Sequence, residues 1–300
     1  MNVRRLALIL APILCCGVLA AATTSTILLP TGRSIDAPAG PVATVGTLPE
    51  GLALTRDGTR LLVVEGGVLP TSLRILDART LAQRGDAALK GAYGIPLPDD
   101  NGDGAWVAGA NTDSIVHVDL TKAGVDREIA IGKGCWTTAV VRVRAGVLAA
   151  ACELTDQVAL VDEAGARVSA LVPVGANPSA LLVSKDGTRL YVADWGERAI
   201  DAVDVASAKV VRRFGVGLHP EALAFAPDGK ALFTANSDDD SISIVDLAHP
   251  DRVPVKVPVH LDASGTYGNN LNALAISPDR RRLYASAGAA NAIYVFAIEG

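Results

Sequence analysis

An apolar strand that ends in aspartate recurs along this chain at a nearly constant step, and that period limits the possible folds more than any single residue does. SLRILD ends at Asp77, SIVHVD at Asp119, QVALVD at Asp162, AIDAVD at Asp204 and SISIVD at Asp246, giving steps of 42, 43, 42 and 42 residues. Roughly 18 residues ahead of such strands stand TRDG at Asp57, SKDG at Asp186, APDG at Asp228 and SPDR at Asp279, each between two apolar runs. Glycine after aspartate supplies the positive φ that a tight hairpin requires. The unit from His219 to Val257 is complete: EALAFA, the turn PDGK, ALFTANS, the turn DDD, SISIVDL and VPVKVPV. Its apolar residues alternate at two and are rich in valine and isoleucine, which excludes a helical repeat. Four short antiparallel strands per repeat of about 40 residues make the blade of a β-propeller, because one blade cannot bury both faces until neighbours stack on it.

The expected fold is therefore all-β, a β-propeller of four-stranded antiparallel blades with six recognisable repeats: the five aspartate-ended strands plus AIYVFAI near the C-terminus. Blades two and three carry altered turns, at Pro98 to Gly104 and Arg144 to Gly146. The sixth unit stops after its third strand, and GPVATVG, Gly40 to Gly46, is one source for the fourth. ILLPTG, Ile27 to Gly32, is then left over, which keeps an incomplete seven-bladed ring as the alternative. Residues 1–22 read as a signal peptide, with Arg4 and Arg5 ahead of the apolar Leu6 to Leu14 and a small-residue site at Ala20 to Ala22. Residues 23–300 form the propeller domain, and the expected location is periplasmic or secreted. The run from Leu6 to Ala22 approaches the roughly 20 residues of a spanning helix, so an uncleaved N-terminal anchor competes with the signal peptide. A net charge of −5 and only 4% aromatic residues exclude a nucleic-acid partner, which needs a basic field and stacking platforms.

From Gly175 to Gly217 the unit GANPSALLVSKDGTRLYVADWGERAIDAVDVASAKVVRRFGVG resembles the YVTN-type β-propeller repeat, with LYVAD standing where that family has its YVAN-like signature. LFTAN at Leu232 to Asn236, LYASA at Leu283 to Ala287 and the looser LLVVE at Leu61 to Glu65 are further copies. The resemblance covers most of the mature chain and implies a YncE-like exported bacterial protein. It is specific for fold and implies no single activity. The ring also resembles lactonase-like propellers, and in some relatives a similar propeller precedes a phosphoesterase domain.

Propellers place function where loops lead into the innermost strands, and the site rather than the fold must carry the functional argument. The repeat aligns Cys135, Asn177 and His219 just before that strand, and Thr137, Ser179 and Glu221 two residues later, with Glu50 and Asn272 corresponding. At the end of the second strand it aligns Cys152, Asp194 and Asn236, with Glu65 as the nearest match in blade one. The candidate ligand-binding residues are Glu50, Glu65, Asn177, Asp194, Trp195, His219, Glu221, Asn236 and Asn272, with Trp136 and Trp195 placed to stack on a ligand. Such carboxylates and amides suit a hard cation such as calcium, or a polar ligand. The structural alternative is that they cap strand ends, since a repeat makes rings whether or not anything binds.

Cys135 leads into the first strand of blade three and Cys152 ends the second, so a hairpin turning near Arg144 sets them opposite. A disulfide is expected after export, the alternative being two half-buried thiols. DDNGDG, Asp99 to Gly104, matches the start of a calcium loop but lacks the acid at its twelfth position, where Ala110 stands, and reads better as an enlarged hairpin. His117 takes the place of Ile244 and is expected inside, packed or hydrogen-bonded. The loop from His260 to Asn270 lengthens the last repeat and joins the candidate face. No GxSxG, HExxH, P-loop or full GxGxxG occurs.

The functional expectation is a non-catalytic exported binding or interaction module with its ligand site on the channel face. Its partner is an unidentified protein, peptide or small polar ligand, with no membrane contact beyond the possible anchor and no cofactor, calcium being the open alternative. A metal-dependent lactonase-like hydrolase on the same rim and the N-terminal propeller of a larger protein are the competing readings.

Overall fold

The computed structural model describes residues 42–67, 70–259, 268–290 and 292–298, together with the strand pair Ile27–Leu28 and Ser34–Ile35. The signal or anchor segment, residues 260–267 and Gly300 lie outside the described residues. Six consecutive antiparallel sheets follow the repeat. Blade one comprises Pro49–Leu54, Arg60–Glu65, Thr71–Asp77 and Gln83–Leu89. Blade two comprises Tyr93–Pro98, Gly104–Ala108, Ser114–Asp119 and Gly124–Ala130. Blade three comprises Thr137–Arg144, Val147–Cys152, Gln157–Asp162 and Arg167–Pro173. Blade four comprises Pro178–Val183, Arg189–Asp194, Ala199–Asp204 and Lys209–Gly215. Blade five comprises Pro220–Phe225, Ala231–Asn236, Ser241–Asp246 and Val255–Pro258. Blade six has three described strands, Leu271–Ile276, Arg282–Ala287 and Ala292–Ala297. The first strands of successive blades touch one another, so they surround the central channel.

The recurring aspartates have local work. Those ending the third strands accept backbone N–H groups of the turn that follows, as Asp77 does from Arg79 and Thr80 and Asp204 does from Ser207. An aspartate side chain that bonds a few residues ahead fixes such a turn. In the hairpins between first and second strands, Thr55 and Ser184 donate to Asp57 and Asp186, both at 2.6 Å. These bonds hold both carboxyls down at about 2. Gly58 and Gly187 then take φ values of +68° and +69°, which a side chain would strain.

Alternation places one apolar face of each blade against its neighbour. Leu62, Val64 and Leu73 of blade one meet Ala105, Val107 and Val118 of blade two. Trp106 and Ile115 meet Leu148 and Ala150, and Ala149 and Val158 meet Leu190 and Val192. Ile200 and Phe214 meet Leu232, and Phe233 and Ile242 meet Leu271 and Leu283. Between blade six and blade one no such core forms among the described residues. Leu52 and Leu54 remain 58% and 57% exposed, and Ile293 and Val295 remain 68% and 54% exposed. The segment expected to complete blade six does not pair there in its described part, residues 42–46. Its backbone finds polar partners on blade one instead: Gly46 N–H donates to Glu65 at 2.7 Å, and Arg74 donates to the Thr44 carbonyl at 3.2 Å. The left-over ILLPTG contributes Ile27–Leu28 to a two-stranded hairpin in the separate unit Met1–Ala39.

A second set of aspartates locks the loops between blades. Asp113, Asp156 and Asp240 stand just before the third strands, in left-handed conformation with φ of 54°, 53° and 45°. Each reaches the loop leading into the next blade. Asp113 accepts N–H bonds from Gly134 and Trp136, Asp156 from Asn177, and Asp240 from Gly268, Asn269 and Asn270. The carbonyls of the same residues accept from Ile131, Val174 and Val259. Backbone donors that a tight loop turns inward are thereby satisfied.

Candidate functional site

The pairing of first and second strands slips by one residue at the same place in five blades, at Glu50, Thr138, Ser179, Glu221 and Asn272. A β-bulge of this kind leaves one residue unpaired and re-aims its side chain. Thr138 and Ser179 use the freedom to bond across blades, donating to the carbonyls of Pro178 and Pro220, each at 3.0 Å. A carboxylate cannot donate in this way, so at Glu50 and Glu221 the stitch is replaced by an acid. Asn272 accepts from Ser286 at 2.6 Å. The mouth residue of blade three is Thr138 rather than Thr137, whose hydroxyl is buried against the Ser114 carbonyl at 2.7 Å.

Charged groups from three other blades act on Tyr93 of blade two. Burial pushes the Tyr93 hydroxyl up to about 12, with the charges of Glu50, Glu221 and Glu153 adding to the effect. Glu50 and Glu153 belong to the two blades that flank Tyr93, and Glu221 to blade five. Burial also raises Glu50 and Glu153. Glu221 is raised by burial too, with the Trp195 indole acting in the opposite direction. No lysine or arginine offsets any of these three glutamates among the described residues. Trp195 lies flat on His219, ring centroids 3.7 Å apart and planes 7° apart. His219 Nδ1 is 2.7 Å from the Asp238 carboxylate, and the His219 carbonyl accepts from the Ser237 N–H at 2.9 Å.

His219, Asn177 and Trp136 share a left-handed backbone, with φ of 54°, 53° and 50°. Each carbonyl receives an N–H from just beyond the second strand of its own blade, donated by Ser237, Trp195 and Glu153. Asn177 therefore shapes the loop, its N–H held by Asp156 at 3.0 Å and its amide donating to the Glu153 carbonyl at 3.4 Å. Asn269 and Asn270, from the long last loop, are likewise held by Asp240.

Glu65, Asp194 and Asn236 do not line the mouth. They are 4%, 0% and 0% exposed, beneath the loops that lead into the first strands. A Cβ added at Gly46, Gly175 or Gly217 would lie 2.2 to 2.6 Å from an atom of Glu65, Asp194 or Asn236 respectively, so a side chain there would have to displace the group beneath the loop. Glu65 is met there by Gly46 N–H and by Arg74, at 3.0 Å. Asn236 donates to Ser241 and Ser243, both at 2.9 Å. Asp194 receives no hydrogen bond from the described residues, and burial with the neighbouring Asp201 carboxylate pushes it up to about 8. In blade three the corresponding tie is covalent, Cys135–Cys152, with an S–S distance of 2.06 Å.

DDNGDG forms the hairpin turn of blade two, with Gly102 N–H on the Asp99 carbonyl at 3.1 Å. The Asp99 carboxylate faces inward, 2.8 Å from His117 Nε2 and accepting from Arg142 at 3.1 Å. His117 Nδ1 lies 2.6 Å from Asp126. Burial opposes charge on this imidazole, but its bonds to Asp99 and Asp126 outweigh burial and raise it. His117 is thus a hydrogen-bonded internal histidine, 14% exposed.

No family model and no curated protein matches the sequence. Among solved structures the chain is similar to hydrazine synthase of Kuenenia stuttgartiensis, with a TM-score of 0.70 and 19% identity over 83% of this chain and 76% of that one. Likeness at this identity shows the β-propeller fold and nothing narrower. The fold is shared by many solved chains, which is why it assigns no activity.

Proposed function

We propose that this chain is an exported, non-catalytic binding module of the YVTN-type propeller class whose channel mouth holds a cationic group of a protein, peptide or small polar partner. The observation that carries this reading is that Glu50, Glu153 and Glu221 are each raised by burial and all act on Tyr93, while no lysine or arginine opposes them among the described residues and His219 acts on Glu221 alone of the three. Carboxylates that have lost part of their hydration gain most from an opposite charge brought close. The aromatic rings of Tyr93 and Trp195 add attraction for an ammonium or guanidinium group. An organic cation fits this mouth better than calcium, which takes six to eight oxygens. Among the described residues no three histidine, cysteine, aspartate or glutamate side chains converge closely enough for a metal ion. That also leaves the lactonase-like reading without an observation in its favour. Export draws support from the residues 1–22 pattern and from the Cys135–Cys152 bond, of a kind that persists in oxidising compartments.

The test uses an oligolysine peptide as probe and its fully acetylated form as control, titrated calorimetrically against the wild type and the double variant Glu50→Gln/Glu221→Gln. Binding by the wild type is expected to weaken about tenfold in the double variant, a change of about 1.4 kcal/mol, and to weaken with added salt. Equal binding of the acetylated peptide, or no loss in the double variant, would sink the proposal.

A further inference from the structure

One repeat position meets the same need by different chemistry in blades one, three and five, and incompletely in blade four. The side chain ending the second strand supports the loop above it. Blade five does so without charge: Asn236 donates to Ser243, and Ser243 accepts the Gly217 N–H at 3.1 Å. Blade one uses Glu65 with Arg74, and blade three a disulfide. In blade four the Gly175 N–H goes to Asp201 at 3.1 Å, and Arg213 grips Asp201 through Nε and Nη2, both at 2.7 Å. Among the described residues nothing donates to Asp194, although it is fully buried on the same face of the sheet.

The surrounding charges do not repair this. Arg213 is also paired with Glu197, so one guanidinium serves Asp201 and Glu197 beside Asp194. Asp156 of blade three is occupied with the Asn177 N–H. The rest of that blade's face is apolar, with Ala149, Ala151 and Val158. An isolated buried carboxylate with no donor is among the costliest groups to fold around, whereas the neutral acid is itself a donor.

We infer that Asp194 carries a proton in the folded protein at neutral pH, donates it in a hydrogen bond to Asp201, and releases it to water as the pH rises. Burial and the Asp201 carboxylate both act in that direction. The pair lies under the channel mouth. Asp194 is the residue before the short 3-10 helix Trp195–Glu197, and Trp195 bears on both Glu221 and His219. Loss of the proton puts a second negative charge beneath Gly175 and Trp195, so the mouth has a proton-controlled support. The protonation stands independently of the proposed cation binding; only its consequence for the mouth rests on that reading.

Asp194→Asn makes the neutral donor permanent, as Asn236 does in blade five. The native state keeps a proton that the unfolded chain releases near pH 4, so the wild type loses stability relative to the variant as pH rises, until the native group also ionises. Melting temperatures measured from pH 5 to pH 9 are expected to diverge in favour of the variant, by on the order of 5 °C by pH 8. Carboxyl carbon NMR of the wild type is expected to show one aspartate still protonated at pH 6. A pH-independent difference in melting temperature, or full ionisation of every aspartate by pH 6, would overturn the inference. Neither readout involves a ligand, so this result and the oligolysine result are separable.

Discussion

Asp240→Ala is expected to destabilise the protein by about 4 kcal/mol, the largest effect of any single side-chain truncation argued for this molecule. Asp240 is fully buried and takes three backbone N–H groups, at 2.6 Å from Gly268, 2.9 Å from Asn269 and 3.2 Å from Asn270. Alanine leaves all three without an acceptor where water has little access, and each orphan costs about 1–3 kcal/mol before relaxation. The backbone adds to the loss, because φ is 45° and alanine lacks the short polar chain that eases the left-handed region. The related residues grade the effect. Asp113 takes two such groups and Asp156 one, so their alanine variants are expected to follow in that order. Urea unfolding with linear extrapolation measures the series. An Asp240→Ala variant no weaker than Asp156→Ala would mean that the loop into blade six is held by something else.

The sequence made the blades legible because three signals agree in each repeat: alternation at two, aspartate-glycine turns and a fixed step. Position along the repeat was enough to put Glu50, Glu221 and Asn272 on one face, and the bulges in the structure explain why these side chains point inward. The same bulges limit the alignment. The first strand of blade three starts one residue out of step with blade four, so a constant 42-residue step selects Thr137 where the mouth holds Thr138. Tyr93 is hard to place from the sequence because in blade two the enlarged DDNGDG turn stands where other blades have a TRDG-type turn, which blurs the register. Glu153 has a usable signal in the sequence, since 153, 195 and 237 are successive steps of 42 and Trp195 is a candidate on its own account. What the step could not reveal is depth. Glu65, Asp194 and Asn236 share a repeat position with one another, but only the glycines that close above them show that they support loops from beneath. The inter-blade role of Asp113, Asp156 and Asp240 was hidden for a different reason: Arg198 takes the place in blade four, and the bonded partners are backbone groups, which no residue type announces.

Replacing both Cys135 and Cys152 with alanine is expected to cost about 3 kcal/mol, the value that loop-closure entropy assigns to a cross-link of this span. The bond joins residues 17 apart, and both cysteines are 2% exposed, so the cross-link lies inside the blade rather than on its surface. Its removal is not expected to free the leading loop of blade three. Asp113 still holds the N–H groups of Gly134 and Trp136, and Leu154 N–H still reaches the Cys135 carbonyl at 3.2 Å. The loss is therefore expected to fall mainly on the unfolded state, where the cross-link restricts the chain, and to lower the melting temperature by about 6–10 °C. Wild-type protein whose thiols have been shown to be fully reduced should melt with the double variant, and added reductant should leave the variant unchanged. A reduced wild type as stable as the oxidised one would refute the contribution. The same quantity bears on export, since a chain retained in a reducing compartment forgoes this stabilisation and gains it only where the bond forms. Trp136 and Glu153 follow the two cysteines directly, so an intact mouth in the reduced protein, read by oligolysine binding, would show that the Asp113 clamp alone suffices to place them.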